Sequence, residues 1–494
     1  MKALCVEFVT DGKPQITRQL AGLYLKNLVT GQSHDIVAVK SERWRNCDAT
    51  IKEAARQSFF QALVSADKTI SQTASQVIAA YACVDLKNGE WESVLPQLVG
   101  YCAAADCPEL TKVSTLKCLG FICELLDEDV LKVEQTNQIL TGIVRCMDAS
   151  MPNSIRAAAT EAMCNSLVFC EKNFEAEAER NMIMESICGS MVSEDDDTRL
   201  FAYCCLESVA ENYYEHIKPY IDTLYPLTVK SIKEDEEDVA MHAVEFWIII
   251  ASNETELNEE GRAHHGITQT LVTIGTLLPL ILSKFTEQAE SPEDEDESLC
   301  SCCYRFLLAA AECVGDDIAN AVMPMVQEHL MSENWRFKDA AINAFAYVLN
   351  GPNIQTISPF VQQAMPAIVE STQHGHDMVA NSALWAVSQV CLFHKNAIKD
   401  PQTLVKAVLS SLTRQNHKVQ YQALNCMLEL AEACDEHKDR KTNLLSTFFV
   451  DAVQSILAVA AGKSESKSKS KSNIEDLSVS LYYWWCLVQS GVVH

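Results

Sequence analysis

Glycine and proline are scarce, 16 and 13 residues in a chain of 494. Both fall well below average usage, so the chain has few turns and helices dominate. No stretch shows sustained two-residue alternation closed by hairpin dipeptides, which argues against a β architecture. Long apolar runs are missing too. The most apolar window, Leu271–Leu282, is too short to span a bilayer, which takes about 20 residues. It reads as a core helix. Residues Met1–Pro14 hold only a brief apolar run before Asp11 and Lys13, a poor signal peptide. Basic residues are outnumbered, 39 against 67 acidic, giving a formal net charge of −28. Such a surface repels phosphate backbones and anionic membranes, so neither nucleic acid nor membrane insertion is expected. Two readings of the acidity stay open: it keeps a long chain soluble, or it attracts basic protein segments.

Catalytic motifs are also lacking. Gly462-Lys463-Ser464 has no upstream glycine and no preceding strand, so it is not a phosphate-binding loop. No Gly-x-Ser-x-Gly elbow occurs. No enzyme, cofactor or metal is expected. Cysteine is plentiful, at 21 residues. Cys118, Cys123, Cys164 and Cys391 sit within helical apolar patterns, where cysteine acts as a small buried hydrophobe. That usage fits a reducing cytosolic or nuclear compartment. Cys300, Cys302 and Cys303 form the densest thiol cluster. On one helical turn they point in different directions, which suits a core better than a zinc site. His264, His265, His374 and His376 read as solvated loop histidines.

The repeats decide the fold. A helix that opens on a small or β-branched residue and continues charged and alanine-rich recurs at Lys112-Val-Ser-Thr-Leu116, Ile155-Arg-Ala-Ala-Ala159, Thr198-Arg-Leu-Phe-Ala202, Val239-Ala-Met-His-Ala243, Phe337-Lys-Asp-Ala-Ala341, Val379-Ala-Asn-Ser-Ala383 and Val419-Gln-Tyr-Gln-Ala423. Most steps are about 40–43 residues, the HEAT/armadillo period. The one long step, from Ala240 to Lys338, holds two repeats and an insertion, the hidden copy being Leu299-Cys-Ser-Cys-Cys-Tyr304. A second helix set lies between them: Trp91–Tyr101, Thr136–Cys146, Ile221–Ile232, Val322–Leu330 and Phe360–Ser371. Several carry an early proline (Pro96, Pro324, Pro366), which suits a first turn or a kink. Each repeat is thus a helical hairpin that buries its apolar faces only by stacking on its neighbours. The expected fold is an all-α HEAT-repeat α-solenoid, a superhelix of antiparallel helix pairs, with about ten repeats.

Within that array, residues 1–90 read as N-terminal repeats with an incomplete first copy. Residues 91–462 read as HEAT repeats carrying an acidic loop at 287–298. Residues 463–473 are a Lys/Ser low-complexity loop, either a plain insertion or a localisation or phosphorylation segment. Residues 474–494 read as a final incomplete repeat, with Tyr482, Tyr483, Trp484 and Trp485 expecting a further partner repeat. Both ends therefore read as cut.

Leu20-Ala-Gly-Leu-Tyr-Leu-Lys26-Asn27 followed by Trp44 resembles the N-terminal signature of the importin-β family of nuclear import receptors. Further resemblances run in register: Trp91-Glu-Ser-Val-Leu-Pro-Gln-Leu-Val99, Asn137-Gln-Ile-Leu-Thr-Gly-Ile-Val144, Glu245-Phe246-Trp247, Trp335-Arg-Phe-Lys-Asp-Ala-Ala341 and Gln363-Ala-Met-Pro366. The short acidic loop resembles the importin-β type rather than transportin. The resemblance implies a receptor shuttling between cytoplasm and nucleus through the nuclear pore. It implies FG nucleoporins on the convex face, at Leu140, Thr141, Val144, Met182, Ile183 and Tyr220. It implies importin-α or basic nuclear localisation signals on the concave face, at Glu245, Asp339 and Trp385. It implies Ran-GTP at the first inner helices and at Glu293, Asp294, Glu295, Asp296 and Glu297. The chain departs from the family where Leu299, Asn381 and Asn425 stand near expected tryptophan, acidic and tryptophan positions. A HEAT scaffold that assembles a phosphatase or another complex is the alternative. It would keep the period but lack the signature and the acidic loop.

Nearest-neighbour stacking has a direct consequence for unfolding. Denaturation followed by circular dichroism is expected to be broad or multi-step. One sharp transition with a denaturant slope suited to all 494 residues would contradict the repeat array.

Overall fold

The computed structural model describes residues 1–127, 129–273, 275–291, 298–434, 448, 450–452 and 454–455. The acidic run Glu293–Glu297, the Lys/Ser loop and the aromatic cluster at 482–485 lie outside the described residues. Among the described residues every regular element is helical. The fold is all-α and built from HEAT-type helix pairs in two compact units, Met1–Phe246 and Trp247–His494.

In the first unit the pairs are Lys2–Val9 with Gln15–Asn27, Ala49–Leu63 with Lys68–Leu86, Val94–Ala103 with Glu109–Leu125, Val133–Met147 with Asn153–Ser166, and Glu177–Met191 with Asp196–Tyr213. The extra helix His34–Arg45 lies between the first two pairs in sequence. Second helices pack on second helices from pair to pair, and first helices on first helices, making two layers with the core between. The second unit repeats the arrangement with Leu299–Val314, Trp335–Tyr347, Asp377–His394 and His417–Cys434 as successive second helices.

Local chemistry sets the boundaries. Asp67 accepts from the Thr69 and Ile70 amides at 2.9 and 3.3 Å, capping Lys68–Leu86. Ser33, Asp48, Asp195, Asn334 and Asp400 cap other helices in the same way. Such caps satisfy amide donors that no helical carbonyl can reach. The helix expected from Trp91 begins instead at Val94. Trp91 has φ +54°, outside the helical region. Its ring is held by the Arg56 guanidinium at 5.0 Å and the edge of Phe60 at 6.1 Å.

Of the prolines, Pro96 lies in the first turn of Val94–Ala103, one of the two placements expected. Pro324 and Pro366 lie inside Asp316–His329 and Ile354–Ser371, because those helices start earlier than their apolar patterns do. The expected core helix over Leu271–Leu282 is two helices, Ile267–Thr273 and Leu277–Lys284, bent by 71°. Leu271, Leu277, Leu278 and Leu282 are buried, and Leu280 is half-buried. No single described helix is long and apolar enough to cross a membrane.

Small residues let the layers close. A Cβ on Gly351 would sit 1.8 Å from the Ala311 carbonyl oxygen, so only glycine fits there. Buried hydroxyls link successive second helices. The Ser71 and Ser114 hydroxyls are 2.7 Å apart, and Ser75 Oγ donates to the Ser114 carbonyl at 2.6 Å. The described cysteines are free thiols, most of them buried, including Cys300, Cys302 and Cys303.

The signature residues are part of this framework. Trp44 is buried, and its Nε1 donates to Asp85 Oδ1 at 2.7 Å. The fully buried Asp85 also receives Arg56 Nη2 at 2.6 Å. Burial pushes the Asp85 carboxyl up, against the pull of Arg56 and Trp44. Tyr81 meets Trp44 edge-on at 4.6 Å and donates to the Leu25 carbonyl at 2.9 Å. Lys26 Nζ donates to Gln76 Oε1 at 3.0 Å, and the exposed Asn27 accepts Lys40 Nζ at 2.7 Å through its carbonyl. These contacts are architectural. Asp85→Ala strands the Arg56 charge and the Trp44 donor, and is expected to lower local stability by about 3 kcal/mol. Native-state hydrogen exchange across Lys68–Leu86 measures it. Asp85→Asn, which keeps an acceptor for Trp44, is expected to cost less.

Candidate functional site

Three groups of residues from the sequence reading lie within the described structure. The first spans neighbouring first helices. On Val133–Met147, Thr141 is exposed and Val144 half-buried, while Leu140 is 6% exposed. On Glu177–Met191, Met182 is 57% exposed and Ile183 only 3%. Tyr220, just ahead of Ile221–Glu234, is half-buried. Leu140 and Ile183 are thus core residues, because the apolar stripe of each helix turns inward at those positions. Thr141, Val144, Met182 and Tyr220 remain available at the surface.

Polar knots fix the spacing of these helices. Asn173 Nδ2 donates to Asn137 Oδ1 at 2.7 Å. Tyr220 Oη donates to Asn181 Oδ1 and accepts from Arg180 Nε at 3.2 Å. Beside these bonds the Met182 thioether is exposed and the Tyr220 ring half-buried.

The second group surrounds the acidic loop. The loop lies between Leu277–Lys284 and Leu299–Val314. Its run 293–297 is outside the described residues, but its first stem is anchored on the next repeat. Gln288 is buried, and its Nε2 donates to the Arg336 carbonyl at 2.8 Å and to Asp339 Oδ2 at 3.2 Å. Arg336 donates back to the Gln288 carbonyl and to Glu290. The guanidinium also lies over the Trp335 ring at 4.4 Å.

Asp339 is fully buried and receives Asn343 Nδ2 at 3.0 Å as well as Gln288. It holds the stem and the adjoining helix, so it is no surface carboxylate for a basic ligand. The nearby histidines are structural too. His376 accepts from the Met378 amide, capping Asp377–His394, and stacks on Trp335 at 3.8 Å. Burial, with Lys338 close by, lowers the His374 pKa. The expectation of solvated loop histidines fails here, because the side chain of each accepts a backbone amide.

The third group is aromatic. Trp385 is half-buried and meets Tyr347 at 4.1 Å. Tyr347 stacks on Tyr304 at 5.2 Å, and Tyr304 meets Phe285 edge-on at 4.5 Å. The ladder crosses three successive second helices, and Trp385 is its half-open end. Glu245 is half-buried on Glu237–Glu259. One exposed feature escaped the sequence reading. Ile16, Leu20, Tyr24 and Leu28, 62%, 46%, 62% and 40% exposed, form one stripe along Gln15–Asn27. Burial depends on neighbours, so a four-residue apolar spacing alone does not reveal that it faces out.

Residues 335–390 match the HEAT-like repeat family. The importin subunit beta-1 of Arabidopsis thaliana is 30% identical over 93% of this chain and 54% of its own length. That of Schizosaccharomyces pombe is 28% identical over 98% of this chain and 57% of its own. Yeast importin-β, Kap95p, superposes with a TM-score of 0.89 at 26% identity over 99% of this chain and 57% of its own. The chain is a relative of importin-β. It spans about half the length of the curated relatives it matches. Kap95 has also been solved in a complex with Nup1, with a TM-score of 0.85 at 25% identity over 99% of this chain and 57% of that one. A further structure describes Kap95p inducing the switch loops of RanGDP to adopt the GTP-bound conformation, with a TM-score of 0.84 at 25% identity and the same coverage.

The different burial of adjacent residues on Glu177–Met191 yields a test of which of them faces solvent. Ile183→Asp buries an uncompensated carboxylate, and a loss of at least about 3 kcal/mol is expected. Met182→Asp, one position away, is expected to change stability by no more than about 0.5 kcal/mol. Thermal unfolding of the two variants makes the comparison.

Proposed function

We propose that this chain acts as a nuclear transport receptor and not as an enzyme, binding FG nucleoporins, Ran-GTP and basic import cargo or importin-α as it shuttles between cytoplasm and nucleus. The agreement with yeast importin-β along 99% of the chain at a TM-score of 0.89 carries this reading. Kap95 complexes with Nup1 and with RanGDP supply the partner classes.

The chemistry of the chain suits each role. FG segments need shallow apolar seams that bind weakly and release quickly. Thr141, Val144, Met182 and Tyr220 offer such seams. Basic cargo needs carboxylates and aromatic faces. Glu245 and Trp385 remain candidates, while Asp339 contributes through the fold instead. Ran-GTP is assigned to Glu293–Glu297. Five successive carboxylates repel one another, and a basic partner relieves that repulsion. The stem that leads into the run is held through Gln288, Glu290 and Arg336.

Surface plasmon resonance with immobilised Ran-GTP and, separately, FG peptide tests the assignment. Replacing Glu293, Asp294, Glu295, Asp296 and Glu297 by Ser and Gly is expected to slow Ran association about tenfold at low salt. The difference shrinks at physiological salt, where the Debye length is about 8 Å. FG binding should be unchanged by that variant and weakened by Met182→Asp. Equal Ran association rates at low salt would remove the loop from the mechanism. Absence of both Ran and FG binding by the unaltered chain would overturn the receptor reading.

A further inference from the structure

Outside these surfaces, one cluster joins two repeats through three different donor types. Cys204 and Glu207 are three residues apart on Asp196–Tyr213, a spacing that puts both on one helical face. His242 comes from Glu237–Glu259, in the next repeat and within the same compact unit. Its Nδ1 is 2.8 Å from Glu207 Oε1 and 3.9 Å from Cys204 Sγ. One ligand atom from each residue lies within 4.8 Å of the others.

We propose that Cys204, Glu207 and His242 form a zinc site that clips two successive repeats together. Zinc takes thiolate sulfur at about 2.3 Å and imidazole nitrogen or carboxylate oxygen at about 2.0–2.2 Å, in a tetrahedron. Neighbouring ligand atoms then stand roughly 3.3–3.6 Å apart. The observed nitrogen–oxygen separation is somewhat shorter and the nitrogen–sulfur separation somewhat longer. Each needs a side-chain shift of about half an ångström. The side chains have room for it, since those of His242 and Glu207 are 37% and 17% exposed and Cys204 is half-buried.

Three protein ligands leave the fourth position to water. A thiolate beside an imidazole favours zinc over magnesium or calcium, which take oxygen donors. The charge balance is also suitable. Glu211 and Glu245 lie close enough to act on Glu207 electrostatically, so a divalent cation enters an anionic neighbourhood. Binding releases to solvent the thiol proton of Cys204 and the proton that the pair with Glu207 holds on His242, so the thiolate and neutral imidazole bind with no change of oxidation state. The ligands are split between repeats, 38 residues apart for Cys204 and His242, so no compact metal motif marks them in the sequence.

The test uses the full chain and the metal alone. Equilibrium dialysis against zinc is expected to leave one equivalent on the unaltered chain that Cys204→Ser and His242→Ala each lose. Cys47→Ser with Cys107→Ser, which removes two half-buried thiols elsewhere, should lose none. Glu207→Gln is expected to weaken binding by about tenfold or more. Circular dichroism of every variant verifies the fold. Cobalt substitution of the unaltered chain gives a second readout that needs no variant: a thiolate-to-cobalt charge-transfer band with tetrahedral ligand-field bands. No bound zinc and no such spectrum, or full zinc retention by both Cys204→Ser and His242→Ala, would overturn the site.

Discussion

A helical hairpin of about forty residues cannot bury two apolar faces by itself, and everything else in this chain follows from that constraint. The solution is to make each repeat the core partner of the next. Second helices therefore approach closely, and their contact faces carry small residues. The turn after Trp335–Tyr347 approaches as closely: Gly351 lies against the Ala311 carbonyl, where no side chain fits. Apolar contact alone would let one helix slide along another. The hydroxyls of Ser71, Ser75 and Ser114 oppose sliding, because a shifted register would leave them unpaired in a dry interface.

Buried carboxylates apply the same logic at higher stakes. Asp85 joins Trp44 to Arg56, and Asp339 joins Gln288 to Asn343. Burying a charge costs free energy unless its partners are well placed. Such groups add little net stability, but they penalise every arrangement that separates their partners. Asp339 extends the logic to the acidic loop: by holding Gln288 it ties the described stem to the following repeat.

The all-α class and the helix pairing were legible in the sequence, because the repeat period and the apolar spacing both survive in single helices. Ile155, Val239 and Val379 all fall in second helices as read. Orientation was much less legible. Thr141 and Leu140 are neighbours, as are Met182 and Ile183, yet one of each pair faces solvent and the other the core. A matched position gives the turn of helix, not the 100° that separates adjacent side chains. Trp91 and the break after Thr273 were missed for a different reason. Trp91 rests on Arg56 and Phe60, and Ile267–Thr273 packs on Leu299–Val314 and Asp316–His329, contacts distant in sequence.

The distribution of charge completes the picture. Several arginines at repeat junctions are occupied internally: Arg56 by Asp85, Arg199 by Asp235 and Asp196, Arg336 by Glu290, and Arg414 by Asp377. Arginine suits these places because its planar fork binds two acceptors at once and stacks on aromatic rings, as over Trp91 and Trp335. Its positive charge is then cancelled locally and adds little at a distance. The net charge of −28 follows from the excess of 67 acidic over 39 basic residues. Pairing at the junctions fixes where these arginine charges sit and leaves the sum unchanged.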